Sequence, residues 1–156
     1  MRCFVIDELL ARTIAELERI GAADEALAVL REGRGIGSLR GAPRMLPVGR
    51  AWRLGVLLLD VQGNLYATGQ VTRAIEPQIA VTNRSAEAEL KREYRRAAAR
   101  GPFPEGETIN FEFVMLDGIE EPLSVVDDVV HVRLASGSTV PLERYLADRV
   151  GLFSLD

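Results

Sequence analysis

The stretch from Ala51 to Thr72 constrains the fold most. Ala51 to Asp60 reads as a strand, with Leu54, Val56, Leu57, Leu58 and Leu59 apolar on both faces, as in a central strand. Asp60-Val61-Gln62-Gly63 has Asp first and Gly fourth, a turn signature. Leu65 to Thr72 then alternates: Leu65, Ala67 and Val71 on one side, Tyr66, Thr68, Gln70 and Thr72 on the other. The pattern predicts a half-buried antiparallel hairpin, and the rest of the fold must build on it.

Further strands are predicted at Ile109–Met115 and at 129–134, where Val130, Val132 and Leu134 alternate with Val129, His131 and Arg133. A short strand or bend is expected near Thr139 and Val140, and the tail 151–155 reads as an edge strand. Three helices accompany them. Asp7 caps a helix running to Gly21 with Leu10, Ile14 and Leu17 in its stripe. Ser85 opens a second, with Leu90, Tyr94 and Ala97 or Ala98 inward, ended by Gly101-Pro102. Pro141 suits the first turn of a short one through Asp148. A further short helix is expected from Asp24 to Gly33, making an N-terminal helical hairpin.

The expected class is therefore α+β: a mostly antiparallel sheet of four or five strands with helices packed on one face. A chain of 156 residues fits one domain. It is divided here into N-terminal helices (1–32), a loop rich in Gly and Arg (33–50) and an α+β core (51–156). No apolar run reaches the ~20 residues of a membrane span, so no membrane is expected. The N-terminus lacks a secretory core, and Cys3 is a lone cysteine, so the expected location is cytoplasmic.

Charge is uneven. Residues 1–100 carry sixteen basic and twelve acidic side chains, and residues 101–156 three and eleven. The formal net charge of −4 argues against nucleic acid as the main partner. An anion or nucleic-acid site in the loop 33–50 is the weakest of the readings, because its glycine spacing fits no dinucleotide fingerprint. Cations are eighteen Arg and one Lys, Lys91.

Known catalytic patterns are missing from the sequence. One His and one Cys cannot supply the three ligands of a zinc hydrolase, and neither a metal nor a cofactor is expected. No Gly-Lys-Ser/Thr and no Gly-x-Ser-x-Gly occurs. What remains is a polar sheet face. Tyr66 and Thr68 on one strand, Asn110 and Glu112 on a second, and His131 and Arg133 on a third would form a pocket floor if these faces coincide. Such a floor would hold a small polar ligand, with Arg53 or Arg133 as anion clamp, or let Glu112 and His131 act as acid and base.

Three stretches together carry a resemblance: 51–59 with 65–69, then Arg100-Gly101-Pro102-Phe103 with Glu105–Phe111, then Val140-Pro141-Leu142-Glu143-Arg144-Tyr145-Leu146. They are similar to a family of small uncharacterised proteins of high-GC Gram-positive bacteria, over roughly residues 50–153. Some members carry a glutaminase label, which implies hydrolysis of a small amide. The Ser-x-x-Lys of serine-dependent glutaminases is missing here: Ala88 stands three residues before Lys91. The leading expectation is a non-catalytic binding or interaction protein, with exposed strand edges that suit a homodimer. A hydrolase of a small polar amide is the alternative.

Overall fold

The computed structural model describes residues 4–37, 41–78 and 85–155. Cys3 and Arg40 lie outside them. The chain forms two compact units, each assembled from separated segments. The first comprises Met1–Asp24, Ala51–Thr68 and Phe113–Asp156, and the second Glu25–Arg50 and Gly69–Glu112.

The second unit contains β1 (Glu25–Arg31), most of β2 (Arg44–Leu54), β5 (Gln70–Arg73), α2 (Ala86–Ala99) and β6 (Thr108–Phe111). Its strands lie in the order β5-β6-β1-β2. β5 and β6 are antiparallel; β1 and β6 are parallel, with Ala26 opposite Ile109. Ala26, Ala28, Met45, Ile109 and Phe111 pack with Ala97 and Ala98 of α2 into one core. The Tyr94 ring meets Phe111 edge-on at 4.8 Å between centroids. Ser85 caps α2 by accepting from the Ala88 amide at 3.2 Å.

The first unit contains α1 (Phe4–Arg19), the end of β2, β3 (Leu57–Leu59), β4 (Leu65–Ala67), β7 (Val114–Met115), β8 (Leu123–Val126), β9 (Val129–Arg133), β10 (Thr139–Pro141) and α3 (Leu142–Leu152). A 3₁₀ turn, Phe153–Leu155, follows. Strands run β2-β3-β4-β7 in one sheet and β10-β9-β8 in another, all antiparallel. Ile6, Leu10 and Leu17 of α1 meet Leu142, Leu146 and Val150 of α3 and the strand residues Trp52, Leu54, Leu57, Leu59, Leu65 and Val132. The alternation read for β9 holds, as do α2, α3 and the mostly antiparallel α+β class.

Several expectations are corrected. The described residues hold ten strands rather than four or five. There is no N-terminal helical hairpin, because residues 25–31 are β1. Ala26, Leu27 and Ala28 are all buried there, since the strand lies between β6 and β2. Leu27 and Leu30 look helical by spacing, and Ala is a good helix former; pairing on both sides overrides that propensity. Of the supposed loop 33–50, residues 44–50 are strand. Pro47 stands in the part of β2 that β3, which pairs with Trp52, Arg53 and Leu54, does not reach among the described residues.

The run 51–60 is two strands. β2 ends at Leu54, Gly55 takes φ 67° and the chain returns as β3, with Leu54 opposite Leu57. The run 65–72 also breaks, at Thr68-Gly69, into β4 and β5. The run 109–115 breaks at Glu112, whose φ is 56°. Leu90 is exposed rather than inward, and the tail continues α3 instead of forming a strand.

Candidate functional site

The polar residues singled out in the sequence are mostly engaged in structural bonds. Tyr66 is buried, not on an open floor. Its hydroxyl donates to Asp60 Oδ2 at 2.8 Å, and Asp60 also accepts from the Gln62 and Asn64 amides at 3.0 and 2.9 Å and from Asn64 Nδ2 at 2.9 Å. A buried carboxylate with four donors is a closed structural knot that holds the β3–β4 turn. Burial, then the bond to Asp60 and its charge, push the Tyr66 phenol up to about 12. Thr68 donates to the Val56 carbonyl at 3.3 Å.

Asn110 is 1 % exposed and donates to Glu25 Oε2 at 2.7 Å and, more weakly, to the Ala26 carbonyl at 3.4 Å. It ties β6 to the start of β1. Arg53 is half-buried on β2, opposite Leu58. Arg133 pairs with Glu121 at 3.2 Å on the surface. His131 lies on β9, half-buried, with Nδ1 3.0 Å from the Val129 carbonyl oxygen of its own strand. Glu112 is exposed at the end of β6, in the second unit, whereas His131 belongs to the first. Tyr66, Asn110 and His131 stand in three different strand ladders, β3–β4–β7, β1–β6–β5 and β8–β9–β10. Among the described residues no group of three His, Cys, Asp or Glu is placed to hold a metal.

The arginines are similarly occupied. Arg44 donates to the Arg100 carbonyl at 3.1 Å and Arg100 to the Pro43 carbonyl at 3.0 Å, fastening the start of β2 to the end of α2. Arg50 pairs with Glu107 at 2.7 Å. On α2, Arg92 pairs with Glu89 and Arg96 with Glu93. These bonds use much of the positive charge that a nucleic-acid reading would require.

Among the described residues of the second unit one concave region is open, and no sequence pattern announces it. Between β5 and α2 lies a groove of about 330 Å³. Its floor is β5 itself with Thr108 of β6; Lys91, Tyr94 and Arg95 project from α2. Among the described residues, β5 has β6 on one side only. The Ala74 amide donates to the Glu107 carbonyl at 3.0 Å, so Ala74 bonds inward. Antiparallel pairing alternates, so Thr72 and Gln70, opposite Ile109 and Phe111, also bond inward. The backbone N–H and C=O of Val71 and the N–H of Arg73 therefore face away from β6. The Arg73 carbonyl is taken by the Ile75 amide at 2.8 Å.

The groove is positive. It is lined by Arg73, Lys91 and Arg95 and by no carboxylate. Arg73 spends Nε and Nη2 on the Gly106 carbonyl, at 3.2 and 3.1 Å. Lys91 holds Glu87 at 2.7 Å one turn back, and that bond keeps the Glu87 carboxyl below its ordinary range. Arg95 is exposed and makes none of the ion pairs or hydrogen bonds found among the described residues. An unpaired strand edge beside a helix wall, with cations on the rim, is chemically suited to taking up an extended chain.

Compared with protein-family models, with curated proteins and with solved structures, the chain matches none.

Proposed function

We propose that this protein is a non-catalytic interaction module that takes an extended segment of a partner as an added strand along β5. The observation that carries the reading is the N–H and C=O of Val71, turned away from β6 on a strand that lines a helix-walled groove. Of the devices that blunt a strand edge, β5 has shortness and a charge, Arg73, but neither proline nor a bulge. β5, Gln70-Val71-Thr72-Arg73, pairs with β6 in continuous register.

The test is selection of random short peptides on the wild-type protein and on Val71→Pro. Proline removes the outward donor, and an edge position tolerates it. The expected result is an enriched peptide set that binds wild type and is lost on the folded variant. Enrichment of the same peptides on both proteins, or of none, would remove the reading.

A homodimer is a second reading, favoured by a different edge. Among the described residues β8 terminates its sheet, and Val125 and Val126 are exposed on it, at 53 % and 45 %. Sedimentation of wild type and Val125→Lys tests it: a dimer that the lysine dissociates supports the pairing, and two monomers exclude it.

A further inference from the structure

The groove beside β5 carries information about the chemistry of what enters it. A strand added to β5 presents alternate side chains to opposite faces of the sheet. One set lies on the side of Gln70 and Thr72, whose cross-strand partners Phe111 and Ile109 pack in the core that α2 covers. On that side Lys91 and Arg95 project from α2 at four-residue spacing, neighbours on one helix face, with the Tyr94 ring between them in sequence. The other set lies on the side of Val71 and Arg73. Both sides of an added strand thus meet a cation, and no carboxylate lines the groove.

From this distribution we infer that the segment accepted at β5 is an acidic extended peptide, with Asp or Glu at alternate positions facing Lys91 and Arg95. The inference rests on the docking reading above. Basic segments are rejected by like charge, and neutral ones gain only the backbone bonds. The same cations disfavour pairing of β5 with β5 of a second copy, since Arg73, Lys91 and Arg95 would then face their own counterparts.

The test uses labelled, end-blocked short peptides of alternating Glu and Thr, of Gln and Thr and of Lys and Thr, with an oligothymidylate as the nucleic-acid control. Binding to wild type, Arg95→Glu and Val71→Pro is read by fluorescence anisotropy at low and moderate salt. Arg95 is exposed on a helix surface, so its reversal leaves folding intact; circular dichroism checks each variant. The Glu-Thr peptide is expected to bind wild type about tenfold tighter than the Gln-Thr peptide, with the advantage shrinking as salt rises. Arg95→Glu should weaken the Glu-Thr peptide by about fivefold or more and leave the Gln-Thr peptide unchanged. Val71→Pro should abolish both.

Equal binding of Glu-Thr and Gln-Thr peptides, lost in Val71→Pro, would overturn the acidic preference and leave strand addition standing. Absence of any binding sensitive to Val71→Pro would overturn both. Tighter binding of oligothymidylate than of any peptide, weakened by Arg95→Glu, would reassign the cations to phosphate and overturn the inference.

Discussion

The phenol of Tyr145 donates to the carbonyl of Leu54 at 2.6 Å, joining residues 91 apart in sequence. The same oxygen accepts from the Val56 amide at 2.8 Å, and the Arg149 guanidinium stands 5.2 Å from the ring centroid. One side chain of α3 thus satisfies both backbone groups flanking Gly55 at the β2–β3 turn. Tyr145→Phe removes the hydroxyl and leaves a buried carbonyl and a half-buried amide without it. The expected loss is about 2 kcal/mol of unfolding free energy, measured by urea denaturation.

Gly55 is the complementary position. Its φ is 67°, and a Cβ there would lie 2.2 Å from the Tyr145 hydroxyl oxygen and 2.8 Å from the Arg149 guanidinium. Gly55→Ala should cost about 2–3 kcal/mol, from backbone strain together with displacement of the hydroxyl. In Tyr145→Phe the second term is gone, so the double variant should lose less than the sum of the singles. Additive losses would contradict the contact.

Alkaline stability should report Tyr66. Its folded pKa is raised to about 12, above its unfolded value, chiefly by burial and then by the Asp60 carboxylate. The contribution is fully present below the unfolded pKa, about 10, and is lost as pH rises toward about 12, because only the unfolded chain ionises in that window. Denaturation midpoints of wild type should fall faster over this range than those of Tyr66→Phe. Phenolate absorbance should show an ionisation step near the top of this range, and Tyr66→Phe should delete that step.

The β8–β9 turn offers a stabilising change. Val126 is opposite Val129, and the two loop residues, Asp127 and Asp128, have φ of 50° and 62°. Two consecutive positive φ angles are the type I′ arrangement, which Asn-Gly fits better. Replacing Asp127-Asp128 by Asn-Gly should add about 1 kcal/mol and raise Tm by about 2–4 °C.

The first unit was the more legible in sequence. The periodicity of α1 and the alternation of β9 follow from apolar side chains whose spacing survives burial. What escaped had a physical cause. β1 is Ala-rich and lies between two strands, so neither propensity nor alternation marks it. Gly55 sits among leucines that read as one continuous strand. Glu112 turns the chain with a positive φ that no glycine announces. The polar face failed as a pattern because Tyr66 and Asn110 point inward to Asp60 and Glu25, partners that sequence spacing does not reveal. The β5 groove was invisible for a simpler reason: an unpaired edge is a property of topology, and nothing local records which strand has one neighbour.

The most direct measurement is an isotope-filtered NMR experiment on the labelled protein with the unlabelled Glu-Thr peptide. Strand addition at β5 requires intermolecular backbone contacts at Val71 and Arg73, with their amides newly protected from exchange and side-chain shifts at Lys91 and Arg95. Shifts confined to other surfaces, such as β9 around His131, with Val71 still freely exchanging, would contradict it.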